Sequence, residues 1–355
     1  MTRGAENWLY VYVYNNYKVF EFNGDTLLNW YIIALVVDFV YYWVHRACHE
    51  IHILWAQHQV HHSSEDYNLT VGFRHPLLHA WCGFIFYLPM AFFVSPIQFI
   101  MHQQFNLLYQ FWIHSSVINN LGPLEYVLNT PNHHKVHHGC NKIYLDKNYG
   151  GVLIIWDRLF GTFEKYSPKH EIIFGIVSQP RTFNPLYQQI FYNNNVYEKF
   201  KKLNGWSNKI QSLFKGPSWL PGRSWTGCDA DKTDIRDRKI YDPEMSIWYK
   251  VYLLIDFVLC CCFFQYAVTL SEVSPFQVLG HLFYVMFSLT IIGLFFDNHP
   301  WAIHFEILRC CINQFFIPYA GTENNIAFLI WSIHTLLFVF CLLKFFNNIQ
   351  SIKFK

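Results

Sequence analysis

The sequence predicts an all-α, polytopic membrane protein that carries a histidine-rich di-metal core at the cytosolic face of its helices. Three observations support this fold class: long apolar runs, one charged block between them, and histidines that cluster at helical spacing. The 355 residues are 53% hydrophobic and 20% aromatic but only 14% charged, whereas soluble domains carry roughly a quarter charged residues. Lipid is therefore the predicted solvent for much of the chain.

The first apolar elements predict an interfacial segment followed by a span. Aromatic and polar residues alternate over residues 8–22, a pattern typical of a membrane interface, so we expect residues 1–26 to lie on the bilayer. Residues 27–44 are long enough to cross a hydrocarbon core of ~30 Å. Residues 80–101 and 105–118 are interrupted by prolines and by a histidine, and they predict either two short spans or a re-entrant pair.

The second half of the chain predicts an aqueous block and then a membrane region. Of the 26 Lys+Arg residues, 17 fall between Gly122 and Met245, and we expect this block to be cytosolic. Residues 27–245 thus form the predicted catalytic region, in which the turn-rich residues 216–237 predict a loop. Residues 246–355 form the predicted C-terminal membrane region, with apolar runs at 247–269, 276–296, 301–319 and 325–346.

The cysteines and the first residues predict no secretory processing. The ten cysteines contain no CxxC pair, and six of them lie in or beside apolar runs, which indicates free, buried thiols. The polar start of the chain leads into aromatic residues rather than into a basic and then apolar segment, so we expect no cleavable signal peptide.

Histidines occur in three boxes whose spacing predicts a metal centre. The first box has two histidines four residues apart, and the other two boxes have the pattern H-x2-H-H. Residues three and four apart share a helix face, so each box projects its imidazoles into one small volume. Eight ligands exceed the four of a single tetrahedral zinc site, which favours a binuclear centre. The eight predicted ligands are His45, His49, His58, His61, His62, His134, His137 and His138.

Two further features bear on this centre. Asp38 lies seven residues before His45, on the same face of the first span, and we expect it to support a ligand histidine, because an acid at membrane depth indicates a functional site. The last box has an alternative register, since His133 and His137 are also four residues apart. Isolated histidines such as His52 and His102 are predicted to serve packing rather than metal binding.

The three boxes resemble those of the fatty acid hydroxylase superfamily of membrane di-iron enzymes. Three longer sequence segments resemble the ether-cleaving branch of this superfamily, the alkylglycerol (glyceryl-ether) monooxygenases. They are WAQHQVHHSSEDYNL at 55–69, FNLLYQFWIHSSVINNLGPLE at 105–125 and DKNYGGVLIIWDRLFGTFE at 146–164. The four late apolar runs are also similar to the C-terminal membrane region of that branch. The resemblance thus covers nearly the whole chain.

The resemblance implies a mixed-function oxygenation with two iron ions, O2 and tetrahydrobiopterin. The implied substrates are ether lipids, namely alkylglycerols and lyso-alkyl lipids, which would be cleaved to a fatty aldehyde and a glycerol derivative. The implied location is the endoplasmic reticulum membrane, spanned several times, with the catalytic site facing the cytosol. Membrane lipid is the expected surrounding, and no nucleic-acid partner is predicted.

Residue roles follow from the same resemblance. His114 matches an additional histidine of the family pattern and is expected to complete the metal set. Glu50 matches a family glutamate with a catalytic or pterin-binding role, although a simple ion pair with Arg46 four residues earlier is the alternative. Asn148 is expected to contact the cofactor, and Trp156 and Asp157 are expected to shape the floor of the pocket.

The sequence also departs from the family in two places. His75 stands where the ether-cleaving branch is expected to have glutamine, so its role as a ligand stays open. Relatives are expected to carry further membrane segments before residues 27–44, so the chain looks shortened at its beginning.

Two rival functions remain at this stage. A sterol or fatty-acyl hydroxylase or desaturase would share the three boxes but would draw electrons from cytochrome b5. A membrane metal transporter would need polar residues along several spans, and Asp256, His281 and Asp297 are sparse candidates for that role.

Overall fold

A computed structural model describes residues 2–22, 24, 26–270, 273–316 and 332–342. The described residues confirm the all-α fold: they contain helices and two isolated β-bridges but no strand. The chain divides into two compact units. The first comprises residues 1–180 and 189–240, and the second comprises residues 181–188 and 241–355.

The described part of the chain forms α-helices joined by loops and by short 3-10 turns. The α-helices are α1 (Thr2–Tyr17), α2 (Leu27–Glu50), α3 (His52–His62), α4 (His79–Tyr87), α5 (Pro96–Ile113), α6 (Pro131–His137), α7 (Ile155–Phe160), α8 (Pro185–Lys202), α9 (Trp206–Phe214), α10 (Ile247–Thr269), α11 (Pro275–Phe296) and α12 (Ala302–Phe316). The 3-10 turns are Leu69–Phe73, Leu88–Phe92, Gly122–Tyr126, Lys142–Tyr144 and Asp229–Asp231. A further apolar helix covers Ser332–Leu342.

Three helices among the described residues are long and apolar enough to cross a membrane: α2, α10 and α11. Of the two uncertain apolar runs, 80–101 forms most of α4, the 3-10 turn Leu88–Phe92 and the start of α5, and 105–118 forms the rest of α5 and the residues that follow it. Neither run is a full-length span. The predicted run 301–319 is the 15-residue helix α12 as far as it is described, and the ends of the run 325–346 lie outside the described residues.

Helix α2 carries the first histidine box deep into the first unit. Thr26 starts the helix by accepting a hydrogen bond from the backbone N–H of Asn29 at 3.2 Å. The helix ends because Ile51 is extended (φ −122°, ψ 119°), and α3 begins at the next residue. Since only one residue separates the two helices, α3 packs closely against α2. This turn brings the first two boxes together.

The first residues of the predicted interfacial segment form helix α1, which packs against α4, α5 and the 3-10 turn Leu88–Phe92. Its Tyr10 and Val13 belong to an apolar core that also includes Val37 of α2 and Phe99 of α5. The rings of Tyr10 and Phe99 are stacked, with centroids 4.3 Å apart. This core fixes α2 relative to α5 and so sets the position of the histidine boxes.

Candidate metal centre

The structure brings all nine predicted ligand histidines together in the interior of the first unit. Each is at most 7% exposed. They form two groups whose ligand nitrogens lie within 4.8 Å of one another. The five-histidine group is His45, His49, His58, His62 and His137, and the four-histidine group is His61, His114, His134 and His138.

Each H-x2-H-H box divides between the two groups. His58 and His62, four residues apart on α3, join the five-histidine group, whereas His61 joins the other. The third box divides the opposite way, because His134 and His138 join the four-histidine group and His137 joins the five. A helix turns by about 100° per residue, so the i, i+4 pair shares a face and the middle histidine points to the neighbouring site.

Backbone carbonyls fix the orientation of four of these rings. In the five-histidine group, the Nδ1–H of His45 donates to the carbonyl of Tyr149 at 2.8 Å. The Nδ1–H of His137 donates to the carbonyl of Lys147, also at 2.8 Å. In the four-histidine group, His61 donates to Arg74 (3.2 Å) and His114 donates to Gln110 (2.7 Å). A carbonyl only accepts, so the proton lies on Nδ1 and each Nε2 presents a lone pair.

The converging lone pairs fit metal ions. The Nε2 atoms of His61 and His114 lie 3.2 Å apart although neither carries a proton for the other. The Nε2 atoms of His114 and His134 lie 2.9 Å apart. Two nitrogens bound to one metal at about 2.1 Å are about 3.0–3.4 Å apart, depending on the angle between them. A cation bound between these nitrogens would remove the repulsion between their lone pairs. The Nε2 of His137 is also buried without a hydrogen-bond partner, as expected of a metal ligand.

Burial keeps these imidazoles neutral, as ligands must be. Removal from water lowers the pKa of His137 and that of His114 to about 4. The same effect, strengthened by neighbouring histidines, holds the pKa of His134 and His138 well below the usual range. Neutral imidazole suits iron, zinc and copper, and the two groups provide enough nitrogens for two such ions.

Asp38 supports a ligand histidine only through a loop. Each of its oxygens accepts two hydrogen bonds, and none of these four donors is a histidine. The donors include the backbone N–H of Val152 at 2.8 Å and the indole of Trp156 at 2.9 Å. Gly151 allows this close approach, since a Cβ there would meet the Asp38 carboxylate at 2.9 Å. Asp38 therefore anchors the loop that carries the Tyr149 carbonyl, and it is a positioning residue.

Asp157 anchors the same loop from its other side. Its carboxylate accepts the backbone N–H groups of Tyr149 and Gly150, both at 2.7 Å, and the hydroxyl of Thr162 at 2.6 Å. Burial raises the pKa of Asp157 to about 6, although these donors oppose the shift. Trp156 and Asp157 thus shape the surroundings of the centre by holding a loop.

Asn148 holds the backbone near the third box. It is fully buried, and its amide donates to the carbonyls of His133 (3.1 Å) and Glu164 (2.8 Å) and accepts from the Glu164 N–H (2.8 Å). Its contact with a cofactor stays a prediction. His133, from the alternative register, belongs to neither histidine group.

Glu50 makes the predicted ion pair with Arg46, at 2.9 Å. Its carboxylate also lies 3.5 Å from the hydroxyl of Tyr149, whose ring is 5.2 Å from that of His49. The side chain of Tyr149 therefore lies between Glu50 and the five-histidine group. His75 is outside both groups, but its ring stacks with that of His61 at 5.9 Å.

A cavity of about 380 Å³, which we call the loop-side cavity, opens beside the five-histidine group. His49, His62 and His137 form part of its wall. Trp55 and Asp146, from the segments that carry the family resemblance, also line it. Tyr192, Trp219 and Lys232 line it from distant parts of the chain that the sequence did not connect with the site.

The loop at 216–237 reaches the centre by docking where α2 meets α3. The backbone N–H of His52 donates to the carbonyl of Lys215 at 2.9 Å, and the indole of Trp225 donates to the carbonyl of Glu50 at 2.7 Å. Gly227 closes the loop, because its φ of +85° and its contact with Ser218 leave no room for a side chain. A predicted loop thus forms a wall of the site.

Comparison with known families agrees with this geometry. The fatty acid hydroxylase family matches residues 30–162, which hold all nine histidines, and the alkylglycerol monooxygenase C-terminal domain matches residues 249–334. No solved structure matches the chain.

Individual relatives cover most of the chain. Alkylglycerol monooxygenase of Xenopus tropicalis is 41% identical over 92% of this chain and 73% of its own length. The human protein of the same name is 42% identical over 87% of this chain and 69% of its own length. Alkylglycerol monooxygenase of Danio rerio is 41% identical over 88% of this chain and 70% of its own length. With its histidine groups and its C-terminal helices both matched, the chain belongs to the alkylglycerol monooxygenase family of membrane oxidoreductases.

Proposed function

We propose that this protein is a tetrahydrobiopterin-dependent monooxygenase of ether lipids. It hydroxylates the carbon next to the ether oxygen of an alkylglycerol, and the resulting hemiacetal collapses to a fatty aldehyde and a glycerol derivative. One atom of O2 enters the C–H bond and the other leaves as water, with two electrons and two protons from the pterin. The observation that carries the proposal is the pairing of two buried histidine groups in a chain that shares both domains with this family.

The histidines are the proposed ligands of two iron ions, five on one side and four on the other. Bound iron would supply the oxidising power that an inert C–H bond requires. The chain's own contribution is orientation and exclusion of water. The carbonyls of Tyr149, Lys147, Arg74 and Gln110 hold the rings with Nε2 inward. Burial of every ligand keeps bulk water from the reacting atoms.

The alkyl chain is proposed to enter sideways from lipid. A narrow crevice next to His61 and His114 is lined by Leu107 and Phe111 of α5. The adjacent Leu108 of α5 is 70% exposed, which suits contact with lipid tails. An apolar crevice on this helix favours a long-chain substrate over a small polar one.

Glu50 is proposed to influence pterin use through Arg46 and Tyr149. Replacement by glutamine keeps its size but removes the charge that pairs with Arg46. We expect the KM for tetrahydrobiopterin to rise while the metal content stays the same. The proposal for Glu50 fails if both KM and kcat of the Glu50→Gln protein match those of the unchanged protein.

The proposed location is the endoplasmic reticulum membrane, with the centre facing the cytosol. The three candidate spans support membrane insertion, and the basic residues between 122 and 245 support a cytosolic position for the loops around the centre. Protease protection of tagged loops in microsomes tests the orientation.

Product analysis tests the reaction. Purified protein in lipid nanodiscs, loaded with iron, is given an alkylglycerol with and without tetrahydrobiopterin, and the fatty aldehyde is measured. We expect aldehyde only when the pterin is present, and none from the matching acylglycerol. Pterin-independent oxidation of a sterol or an acyl chain with cytochrome b5 would instead support the hydroxylase or desaturase alternative.

A further inference from the structure

The loop-side cavity has the size and position of a second binding site at the metal centre. Its volume of about 380 Å³ is within the range of small-molecule sites, roughly 300–1,000 Å³. It touches His49, His62 and His137 of the five-histidine group and His138 of the four-histidine group, whereas the crevice of α5 touches a different set, namely His58, His61 and His114. A molecule in the cavity would therefore reach the metals by a different path from a molecule in the crevice.

Flat aromatic surfaces form one part of the cavity wall. The ring of Trp55 lies 5.0 Å from that of His49 and 6.2 Å from that of Tyr192. Trp219 is only 2% exposed, and its ring is held by the Lys215 ammonium 4.9 Å above it. Such walls favour a planar ring system.

Trp219 also presents an unsatisfied hydrogen-bond donor. Its indole Nε1 is buried and has no hydrogen-bond partner within the described part of the chain. Buried N–H groups are almost always paired, and a rare exception in the wall of a cavity indicates an acceptor on a ligand.

The charged part of the wall makes the cavity unsuitable for an alkyl chain. The side chain of Lys232 is only 7% exposed. Its ammonium pairs with Asp146 at 3.1 Å and with Asp229 at 3.2 Å. Asp146 adopts a left-handed backbone conformation (φ 62°) immediately before Lys147, whose carbonyl orients His137. Hydrocarbon against these charges would remove water from them without replacing its hydrogen bonds.

We propose that the loop-side cavity binds the reductant, a tetrahydropterin, between its aromatic walls. The Trp219 N–H donates to an acceptor of the pterin ring, and the Asp146 carboxylate accepts from the ring's amino and N–H donors. The inference rests on the proposed function, because that reaction needs an external donor of two electrons and two protons, and the tetrahydropterin becomes a dihydropterin when it gives them up. It places the reductant and the lipid on separate sides of the centre.

Anaerobic calorimetry tests the inference without turnover. Tetrahydrobiopterin is titrated into iron-loaded protein in nanodiscs, and Kd is compared among variants of matched metal content. Trp219→Phe keeps the aromatic wall but removes the N–H, and we expect Kd to rise about five- to tenfold. Asp146→Asn keeps the shape but removes the charge, and we expect Kd to rise at least tenfold.

Two surface variants serve as matched controls. Trp206→Phe alters an indole that is 74% exposed, outside the cavity. Asp237→Asn alters an exposed acid that does not line the cavity. Both should leave Kd unchanged. If Asp146→Asn fails to fold, Trp219→Phe decides alone, since it changes one hydrogen bond.

The outcomes separate this inference from the proposed function. An unchanged Kd in Trp219→Phe and in Asp146→Asn, with ether cleavage intact, overturns the cavity assignment and leaves the reaction standing. Weaker binding of alkylglycerol rather than of pterin in these variants also overturns it. Pterin binding that depends on both residues in a protein that cleaves no ether supports the site and contradicts the function.

Discussion

The two units of this protein both bury polar clusters, but they balance them in opposite ways. In the first unit, nine imidazoles form two groups in which the ligand nitrogens lie within 4.8 Å of one another, and no carboxylate belongs to either group. In the second unit, Arg309 pairs with Asp256 and with Glu306, each at 2.8 Å, and all three side chains are fully buried. The histidine cluster therefore needs a cation from outside the chain, whereas the charges of the second cluster are paired with one another.

The cluster of the second unit supplies most of its own partners. Glu306 also accepts a hydrogen bond from the hydroxyl of Tyr252, and His334 lies 3.3 Å from Asp256. The ion pair of Arg309 with Asp256 joins α12 to α10, and His334 adds a contact from the helix Ser332–Leu342. The histidine centre has no such internal compensation. Glu306, Cys310 and His334 also bring three ligand atoms close together, but there an acid, a thiol and an imidazole meet beside the Arg309 cation, whereas in the first unit only imidazoles face one another.

The largest expected effect is the loss of the centre in His61→Ala. Its imidazole lies 3.2 Å from that of His114, and no other side chain of the four-histidine group can replace it. We expect turnover to fall at least about a thousandfold and bound iron to fall by about half, as measured by elemental analysis and aldehyde production. Exposed His170→Ala is the control and should change neither.

Full activity and iron content in a folded His61→Ala protein would contradict the metal assignment. It would also erase the contrast between the two units, since the imidazoles would then need no cation.

The next effect concerns stability rather than metal. Arg309→Met leaves Asp256 and Glu306 buried without their cation, which costs about 3–5 kcal/mol. We expect thermal unfolding in detergent to move to a lower temperature while the iron bound per folded chain stays constant. Adding Asp256→Asn and Glu306→Gln to Arg309→Met should recover much of the loss, because no buried charge then remains unpaired.

A different result for Arg309→Met would revise the comparison. Loss of iron at unchanged unfolding temperature would mean that the second unit contributes to the metal centre, and failure of the triple variant to recover would mean that the network's shape matters more than its charge.

Helical spacing predicted eight of the nine histidines that meet in the first unit, because this spacing acts locally, whereas His114 was predicted only from the family resemblance. His45 and His49 are four residues apart, and so are His58 and His62, so each pair shares a helix face before any tertiary contact forms. The division into groups of five and four was not predicted, although the offset of His61 from its neighbours contains that signal.

Features that depend on distant contacts were beyond the sequence. The carboxylate of Asp38 was expected to support a ligand histidine, and the sequence could not show that its donors lie more than 65 residues away in the chain. Trp219 was assigned only to a loop, and nothing in its neighbourhood indicates that the loop docks at the junction of α2 and α3. Local patterns predict helix faces, whereas the partners of buried acids and loops depend on the whole fold.

The smallest of the three effects is expected for Asp38→Asn. Each carboxylate oxygen of Asp38 accepts two hydrogen bonds, and the NH2 group of asparagine would face two of these donors instead. An unmet buried hydrogen bond costs roughly 1–3 kcal/mol, so we expect a moderate fall in unfolding temperature with iron still bound. Asp66→Asn, at an exposed position, is the control. If Asp38→Asn instead released iron at an unchanged unfolding temperature, Asp38 would act on the metal centre directly. It would then belong with the histidines, and not with buried acids that are paired inside the protein, such as Asp256 and Glu306.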